Sequence, residues 1–146
     1  MPSLKGLEWT FDTVASAYEK LRPGYVKELY KTLFDYIPVT EESNVVEVGS
    51  GGGQATAPML TTGCRLTAVE YGEQFCELLK EKFKEYQKLS VITGKFENIE
   101  FEENAFDLVF SASAFHWVPE KIGYEKVFSM LKKGGVFACF FCKGVY

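Results

Sequence analysis

The stretch from Val45 to Thr56, VVEVGSGGGQAT, constrains the fold of this chain more than any other. Valines surround one acid, Glu47, in a run typical of a buried strand, and four glycines follow within the five positions 49–53. Glycine permits tight turns and lets a ligand approach the backbone closely. The stretch therefore predicts a buried strand that ends in a ligand-binding loop. Its buried carboxylate needs polar partners, since an unpaired charge inside a protein is costly.

The rest of the chain alternates between strand patterns and helix patterns. Such alternation with short connections predicts an α/β fold, in which a doubly wound, mainly parallel sheet carries helices on both faces. We expect one domain over residues 1–146, with a helical leader over 1–40 and the sheet core over 41–146. The predicted helices are Phe11–Glu19, Tyr25–Ile37, Gln54–Leu60, Glu73–Tyr86 and Pro119–Leu131, and the predicted strands are Val45–Gly49, Arg65–Glu70, Leu89–Thr93, Phe106–Ser111 and Val136–Cys142.

Composition narrows the classes of partner. The chain has 146 residues, is 47% hydrophobic and has a net charge of −4 without a long basic run, so nucleic acid is not an expected partner. No stretch approaches the roughly 18 apolar residues that span a membrane, and no membrane partner is expected. The first residues lack the charged start and apolar run of a signal peptide, which favours a cytoplasmic location.

The cysteines and the histidine do not predict a metal site. The four cysteines have no zinc-binding spacing, and His116 is the single histidine. Cys139 and Cys142 form a C-x-x-C pair within a predicted strand, where side chains three apart point to opposite faces. We interpret them as reduced core cysteines.

The spacing of the glycines separates two kinds of nucleotide site. The dinucleotide pattern G-x-G-x-x-G does not fit, because a pattern that starts at Gly49 has its third glycine position at Gln54. The pattern that fits is E-x-G-x-G-x-G, from Glu47 to Gly53. Glu70 ends the second strand 23 residues after Glu47 and could accept both hydrogen bonds of a ribose diol, or be an ordinary solvated acid. Tyr71 could lie along an adenine face, or be a surface aromatic.

Three segments in this order, VVEVGSGGG, LTAVEY and FDLVFSASAFHWV, resemble the class I S-adenosylmethionine-dependent methyltransferases. The resemblance is greatest to the methyltransferase type 11 group that includes trans-aconitate methyltransferase. It covers nearly the whole chain, including the leader FDTVASAYEKLRPGY. It implies S-adenosylmethionine as cofactor and S-adenosylhomocysteine as product.

The resemblance also implies roles for individual residues. Gly49, Ser50, Gly51 and Gly53 would line the methionine part of the cofactor. Glu47 would orient the loop or the cofactor amine through water, or else tie the loop to a neighbouring helix. Ser111 would offer its backbone carbonyl to the same amine. In the leader, Tyr18 and Arg22 would fold over the cofactor, with Arg22 pairing a carboxylate or lying in solvent.

The adenine side departs from the family pattern. An acid often follows the glycine that ends the third strand, and this chain has Lys95 there. Phe96 could still offer its backbone N–H to adenine, and Glu97 could replace the missing acceptor. His116 would lie near the substrate, as a general base or as a packing residue.

The function implied is methyl transfer by in-line displacement to a small-molecule acceptor. A non-catalytic module that binds S-adenosylmethionine or S-adenosylhomocysteine is the alternative, and a nicotinamide dinucleotide domain is disfavoured by Gln54. The resemblance implies seven strands, and the last two are missing from this sequence. We interpret this as a truncated chain, a short natural isoform, or a chain that self-associates through its exposed fifth-strand edge. Activity of the short chain by itself is left open.

Overall fold

The computed structural model describes residues 27–112 and 118–140. The predicted helix Phe11–Glu19 and three predicted site residues, Tyr18, Arg22 and His116, lie outside them. In chain order the elements are α1 (Lys27–Tyr36), β1 (Asn44–Val48), α2 (Thr56–Leu60), β2 (Arg65–Glu70), α3 (Glu73–Lys82), β3 (Leu89–Thr93), a short 3-10 turn (Phe96–Asn98), β4 (Phe106–Ala112), α4 (Glu120–Met130) and β5 (Leu131–Phe140).

The strands form one sheet in the order β3-β2-β1-β4-β5, and each neighbouring pair is parallel. The predicted parallel sheet is therefore confirmed. The chain runs outward from β1 to β2 and β3, and then returns to place β4 on the other side of β1. The strand order thus reverses at β1. In sheets of this kind, ligands bind beyond the carboxyl ends of the strands at such a reversal.

Apolar side chains cover both faces of the sheet. Val45 of β1 belongs to one core cluster, which includes Met59 of α2 and Leu79 of α3. Val46 belongs to a second cluster, which includes Val127 of α4. Because neighbouring side chains of a strand point to opposite faces, α2 and α3 lie on one side of the sheet and α4 on the other. The predicted doubly wound architecture is confirmed.

The helix boundaries differ from the predicted ones by a few residues. α3 ends at Lys82 instead of Tyr86, because the chain enters a turn in which the Tyr86 N–H donates to the Phe83 carbonyl at 2.9 Å. Pro58 is the third residue of the short helix α2, within its first turn, so it removes no intrahelical hydrogen bond.

The last strand begins earlier than its composition predicts. Residues 132–135, KKGG, read as a turn in the sequence, but they lie inside β5 as an irregularity. Leu131 pairs with Phe106 and Val136 pairs with Leu108, so five residue steps on β5 oppose two on β4. Gly134 has a positive φ of 85°, which permits the extra residues to loop out. β3 and β5 form the two edges of the sheet in the described part of the chain.

No helix in residues 27–112 and 118–140 combines the length and the apolar composition that crossing a membrane requires.

Candidate cofactor-binding site

The glycine loop begins where β1 ends and is fixed to β2 by backbone hydrogen bonds. The Gly49 N–H donates to the Val69 carbonyl at 2.8 Å, and the Gly53 N–H donates to the Ser50 carbonyl at 3.0 Å. Gly49, Gly51 and Gly53 all have positive φ angles, of 75°, 53° and 90°. Residues with a Cβ rarely adopt this conformation. The loop therefore needs glycine at these three positions to take its shape.

Glu70 ties the glycine loop to the end of β2. Its Oε1 accepts the Gly51 N–H at 2.8 Å, and its Oε2 accepts the Gly72 N–H at 2.8 Å. Hydrogen bonds from backbone N–H groups to a carboxylate are stronger than those between neutral groups. The role that we expect for Glu70 toward a ribose diol stays a prediction, and the structure adds a role in holding the loop.

Two further side chains anchor the loop and its exit, and neither stands out in the sequence. The Lys82 Nζ, at the end of α3, donates to the Gly52 carbonyl at 3.1 Å. The hydroxyl of Tyr30, on α1, donates to the Ala55 carbonyl at 3.3 Å. Both contacts join residues at least 25 positions apart, so no local pattern could have indicated them.

Glu47 is fully buried, at 0% exposure, on the face of β1 that α2 covers. Its Oε1 accepts the Thr56 hydroxyl at 2.5 Å. Burial raises the pKa of Glu47 to about 7, and the charge of Glu70 acts in the same direction. The hydroxyl groups of Thr56 and Ser50 oppose this shift by favouring the ionised carboxylate. The partner that the buried acid requires is thus Thr56, at the start of the helix after the loop.

Two buried polar atoms beside the loop have no hydrogen-bond partner among the described residues: Glu47 Oε2 and Ser50 Oγ. Ser50 lies near enough to Glu47 to influence its titration, but its hydroxyl makes no hydrogen bond of normal geometry. Buried polar groups are nearly always satisfied in folded proteins. An acceptor and a hydroxyl left open side by side fit the ammonium and carboxylate of an amino-acid group. The methionine end of S-adenosylmethionine carries that pair of charges.

The glycines of the loop differ in what surrounds them. A Cβ placed on Gly53 would lie 2.7 Å from Phe83 Cε2 and 3.1 Å from Leu79 Cδ2, so Gly53 serves the packing of α3. A Cβ placed on Gly51 would meet nothing within 4 Å. Gly51 therefore faces the open space into which a ligand could enter.

We expect alanine at Gly53 to affect mainly stability and alanine at Gly51 to affect mainly ligand binding. Gly53→Ala should lower the free energy of unfolding by about 3 kcal/mol, through positive-φ strain and overpacking. Gly51→Ala should cost about 1 kcal/mol of stability, through strain alone, and weaken S-adenosylhomocysteine binding at least tenfold. Urea unfolding and calorimetric titration would measure the two effects.

Gly134→Ala provides the matched control, because Gly134 also has a positive φ and open space around its Cβ but lies in β5. It should cost the same stability as Gly51→Ala and leave binding unchanged. Unaltered binding in Gly51→Ala would show that no ligand approaches the loop there.

On the predicted adenine side, the structure brings together the ends of β2 and β3. The Gly94 N–H donates to the Glu70 carbonyl at 3.0 Å, and the Lys95 Nζ lies 5.0 Å from the centroid of the Tyr71 ring. Phe96 is buried, at 3% exposure, and packs against Phe101 with ring centroids 5.7 Å apart. The Phe96 side chain is thus part of the core, which leaves only its backbone for the contact expected with adenine.

Lys126 of α4 holds this segment from the other side. Its Nζ donates to the Ile99 carbonyl and lies 5.1 Å from the centroid of Phe96 and 5.5 Å from that of Phe101. Burial lowers the pKa of Lys126, while the charges of Glu97 and Glu100 raise it. Glu97 therefore lies within electrostatic reach of a lysine that the sequence does not single out.

Ser111 lies on β4 at 0% exposure, and its hydroxyl donates to the Val48 carbonyl at 2.8 Å. This bond joins β4 to the last residue of β1, directly before the glycine loop. The side chain of Ser111 is therefore structural. The contact that we expect from its backbone carbonyl to the cofactor amine stays a prediction.

The geometry thus gathers Glu47, Gly51, Glu70 and Tyr71 at the carboxyl ends of β1 and β2. Thr56 and Lys82 are the members that sequence reasoning missed. The hydroxyl of Thr56 was readable in the pattern, nine positions after Glu47, as a partner on the following helix. Tyr18, Arg22 and His116 stay predictions, since they lie outside the described residues.

The chain is similar to known methyltransferases. Residues 46–139 match the family model described as a methyltransferase domain. An uncharacterized methyltransferase of Schizosaccharomyces pombe is 28% identical over 130 residues, which cover 88% of this chain and 51% of that protein. The chain spans about half the length of the first curated relatives it matches.

Two solved structures illustrate the shared fold. A Haloferax volcanii protein in complex with the Trm112 methyltransferase activator aligns with a TM-score of 0.72 and 25% identity, over 88% of this chain and 58% of its own. Phosphoethanolamine N-methyltransferase 2 of Haemonchus contortus, in complex with phosphomonomethylethanolamine and S-adenosylhomocysteine, aligns with a TM-score of 0.73 and 22% identity, over 86% of this chain and 32% of its own. The family model covers well over half of the sequence. The chain therefore belongs to the family of proteins that contain this methyltransferase domain.

Proposed function

We propose that this chain binds S-adenosylmethionine at the carboxyl ends of β1 and β2 and places its methyl group toward a small-molecule acceptor. The observation that carries the proposal is the glycine loop held by Glu70 beside the two unsatisfied buried atoms, Glu47 Oε2 and Ser50 Oγ. S-adenosylmethionine is the cofactor that goes with this family, and the Haemonchus enzyme cited above holds its product.

Each part of the cofactor has a counterpart among the described residues. The ammonium and carboxylate of its methionine end would meet Glu47, Ser50 and the open backbone at Gly51. The ribose hydroxyls would donate to the carboxylate of Glu70. The adenine ring would lie along Tyr71, and the backbone of Phe96 would approach its edge.

The cofactor, when bound, would supply an activated methyl group: the acceptor bonds to the methyl carbon in line as the carbon–sulfur bond breaks and S-adenosylhomocysteine leaves. The protein contributes alignment and the exclusion of water. The anchored loop between β1 and α2 would hold the methionine end, and the end of β2 would hold the ribose, so the chain would position the cofactor from both sides of its sulfur. A reaction of this kind needs no acid–base pair when the acceptor is already nucleophilic.

The proposal extends to the methyl acceptor, the domain boundaries and the oligomeric state. A small-molecule acceptor is supported by the net charge of −4 and the absence of a long basic run in the sequence. A single domain over 1–146, with a helical leader over 1–40, stays a prediction. So does self-association, which is supported by the edge position of β5 and by Phe128 of α4, whose side chain is 84% exposed.

Calorimetric titration with S-adenosylmethionine, S-adenosylhomocysteine and NAD tests the proposal directly. We expect micromolar binding of the first two and none of NAD, which lacks an amino-acid end for Glu47 and Ser50. Binding of NAD alone would overturn the proposed cofactor and the proposed methyl transfer. Tight binding without methyl transfer to any acceptor in a small-molecule screen would favour a non-catalytic cofactor-binding module.

A further inference from the structure

Lys95 stands where the family pattern has an acid, and the structure places its side chain on an aromatic ring. The Lys95 Nζ lies 5.0 Å from the centroid of Tyr71, within the distance of a cation–π interaction. Both side chains are partly buried. The backbone bond from Gly94 to Glu70, at 3.0 Å, fixes the end of β3 beside the end of β2, so the two residues are held next to each other.

A lysine at this position changes what the site can recognise. The amino group at the 6-position of adenine is a donor, and an acid can accept its hydrogen bond. A lysine ammonium carries donors and no acceptor, so it cannot accept a hydrogen bond from the 6-amino group. Glu97, which we expect as the replacement acceptor, lies within electrostatic reach of Lys126 of α4.

We propose that Lys95 is a positioning residue that fixes the Tyr71 ring as a platform for a purine, and that this site selects the purine by stacking more than by its 6-amino group. The inference rests on the proposed binding of S-adenosylmethionine and names how its base is recognised. Stacking is tolerant of the base, because every purine has a π-face. The site is therefore permissive at the purine 6-position.

Two ligands isolate this property: S-adenosylhomocysteine and its counterpart with unsubstituted purine in place of adenine. They differ only at the 6-position, where the amino group becomes a hydrogen atom, and both keep ring nitrogen N1 as an acceptor. Calorimetric titration of the unmodified chain should give affinities within about threefold of each other, since stacking dominates. Lys95→Asp, which supplies an acceptor, should raise the preference for S-adenosylhomocysteine to about tenfold, the value of one hydrogen bond.

A double-mutant cycle tests whether Lys95 acts through Tyr71. Lys95→Met and Tyr71→Leu should each weaken both ligands by about five- to tenfold and leave their ratio unchanged. The double variant should be little weaker than Tyr71→Leu alone, because the two residues act as one unit. Lys121→Met, a change at an exposed lysine of α4, is the matched control and should alter neither affinity.

Each other outcome has a definite meaning. A preference above tenfold for S-adenosylhomocysteine in the unmodified chain, lost in Glu97→Gln, would show that Glu97 reads the amino group and would overturn the proposal. Additive losses in the double variant would show that Lys95 does not act through Tyr71. Both results leave the proposed function standing. A folded chain that binds neither ligand would overturn the proposed function, and this inference with it.

Discussion

Replacing Glu70 by alanine is expected to reduce the affinity for S-adenosylhomocysteine at least 100-fold. The carboxylate accepts the N–H groups of Gly51 and Gly72, each at 2.8 Å, and is proposed to accept the ribose hydroxyls as well. Hydrogen bonds to a charged group contribute about 1.5–3 kcal/mol each, and about 2.7 kcal/mol corresponds to a 100-fold change in affinity. The loss combines a released glycine loop with a missing ligand contact.

Calorimetric titration measures the affinity, and hydrogen exchange at the Gly51 and Gly72 amides reports whether the loop is released. Glu70→Gln retains an acceptor oxygen but lacks the charge, so we expect an intermediate loss. Glu102→Ala removes an acid of the same type at an exposed position and should change neither quantity. Binding within threefold of the unmodified chain in Glu70→Ala would rule out a central role for Glu70.

The second large effect concerns Glu47 and pH. Its pKa is about 7 in the folded chain against an ordinary value of 4.5, because burial disfavours the charged form. Between these two values the folded state holds a proton that the unfolded state has released, so stability falls as pH rises. The stability that the folded state gains from holding this proton is fully present below pH 4.5 and lost above about pH 7. The whole loss in the free energy of unfolding is about 3 kcal/mol.

Glu47→Gln removes the titration while keeping the shape of the side chain. The two proteins should have similar unfolding free energies near pH 4.5, and the variant should be the more stable one by about 3 kcal/mol at pH 8. Urea unfolding across this range measures the difference. A difference that is constant with pH would contradict a raised pKa for Glu47.

Ligand binding should show the opposite dependence on pH. A ligand ammonium beside Glu47 favours its ionised carboxylate. The negative charge of Glu70, the other acid that acts on Glu47, raises the pKa of Glu47 and so disfavours its ionisation. The affinity for S-adenosylhomocysteine should therefore rise about tenfold from pH 6 to pH 8, with release of a proton, and Glu47→Gln should bind with little dependence on pH. Titration in buffers of different ionisation enthalpy detects that proton.

Much of the fold was readable because its signals are local. The strands Arg65–Glu70 and Leu89–Thr93 were predicted with their observed bounds, since short apolar runs ended by glycine or charged residues leave little freedom. The start of the last strand was predicted too late, at Val136 instead of Leu131, because pairing of Leu131 with Phe106 draws the chain into the sheet before the glycines. A sequence pattern cannot show which neighbouring strand a segment will pair with.

The sequence by itself determined the alternation of strands and helices, the glycine loop, and the acids before and after it, Glu47 and Glu70. These features depend on residues that are close together in the sequence, so their periodicity and spacing can be read directly. The tertiary structure decided how those acids are used. In the folded chain Thr56 donates to Glu47, Lys82 donates to the glycine loop, and the ammonium of Lys95 lies over the ring of Tyr71. These contacts depend on which strands lie side by side, and the strand order arises from packing both faces of the sheet at once.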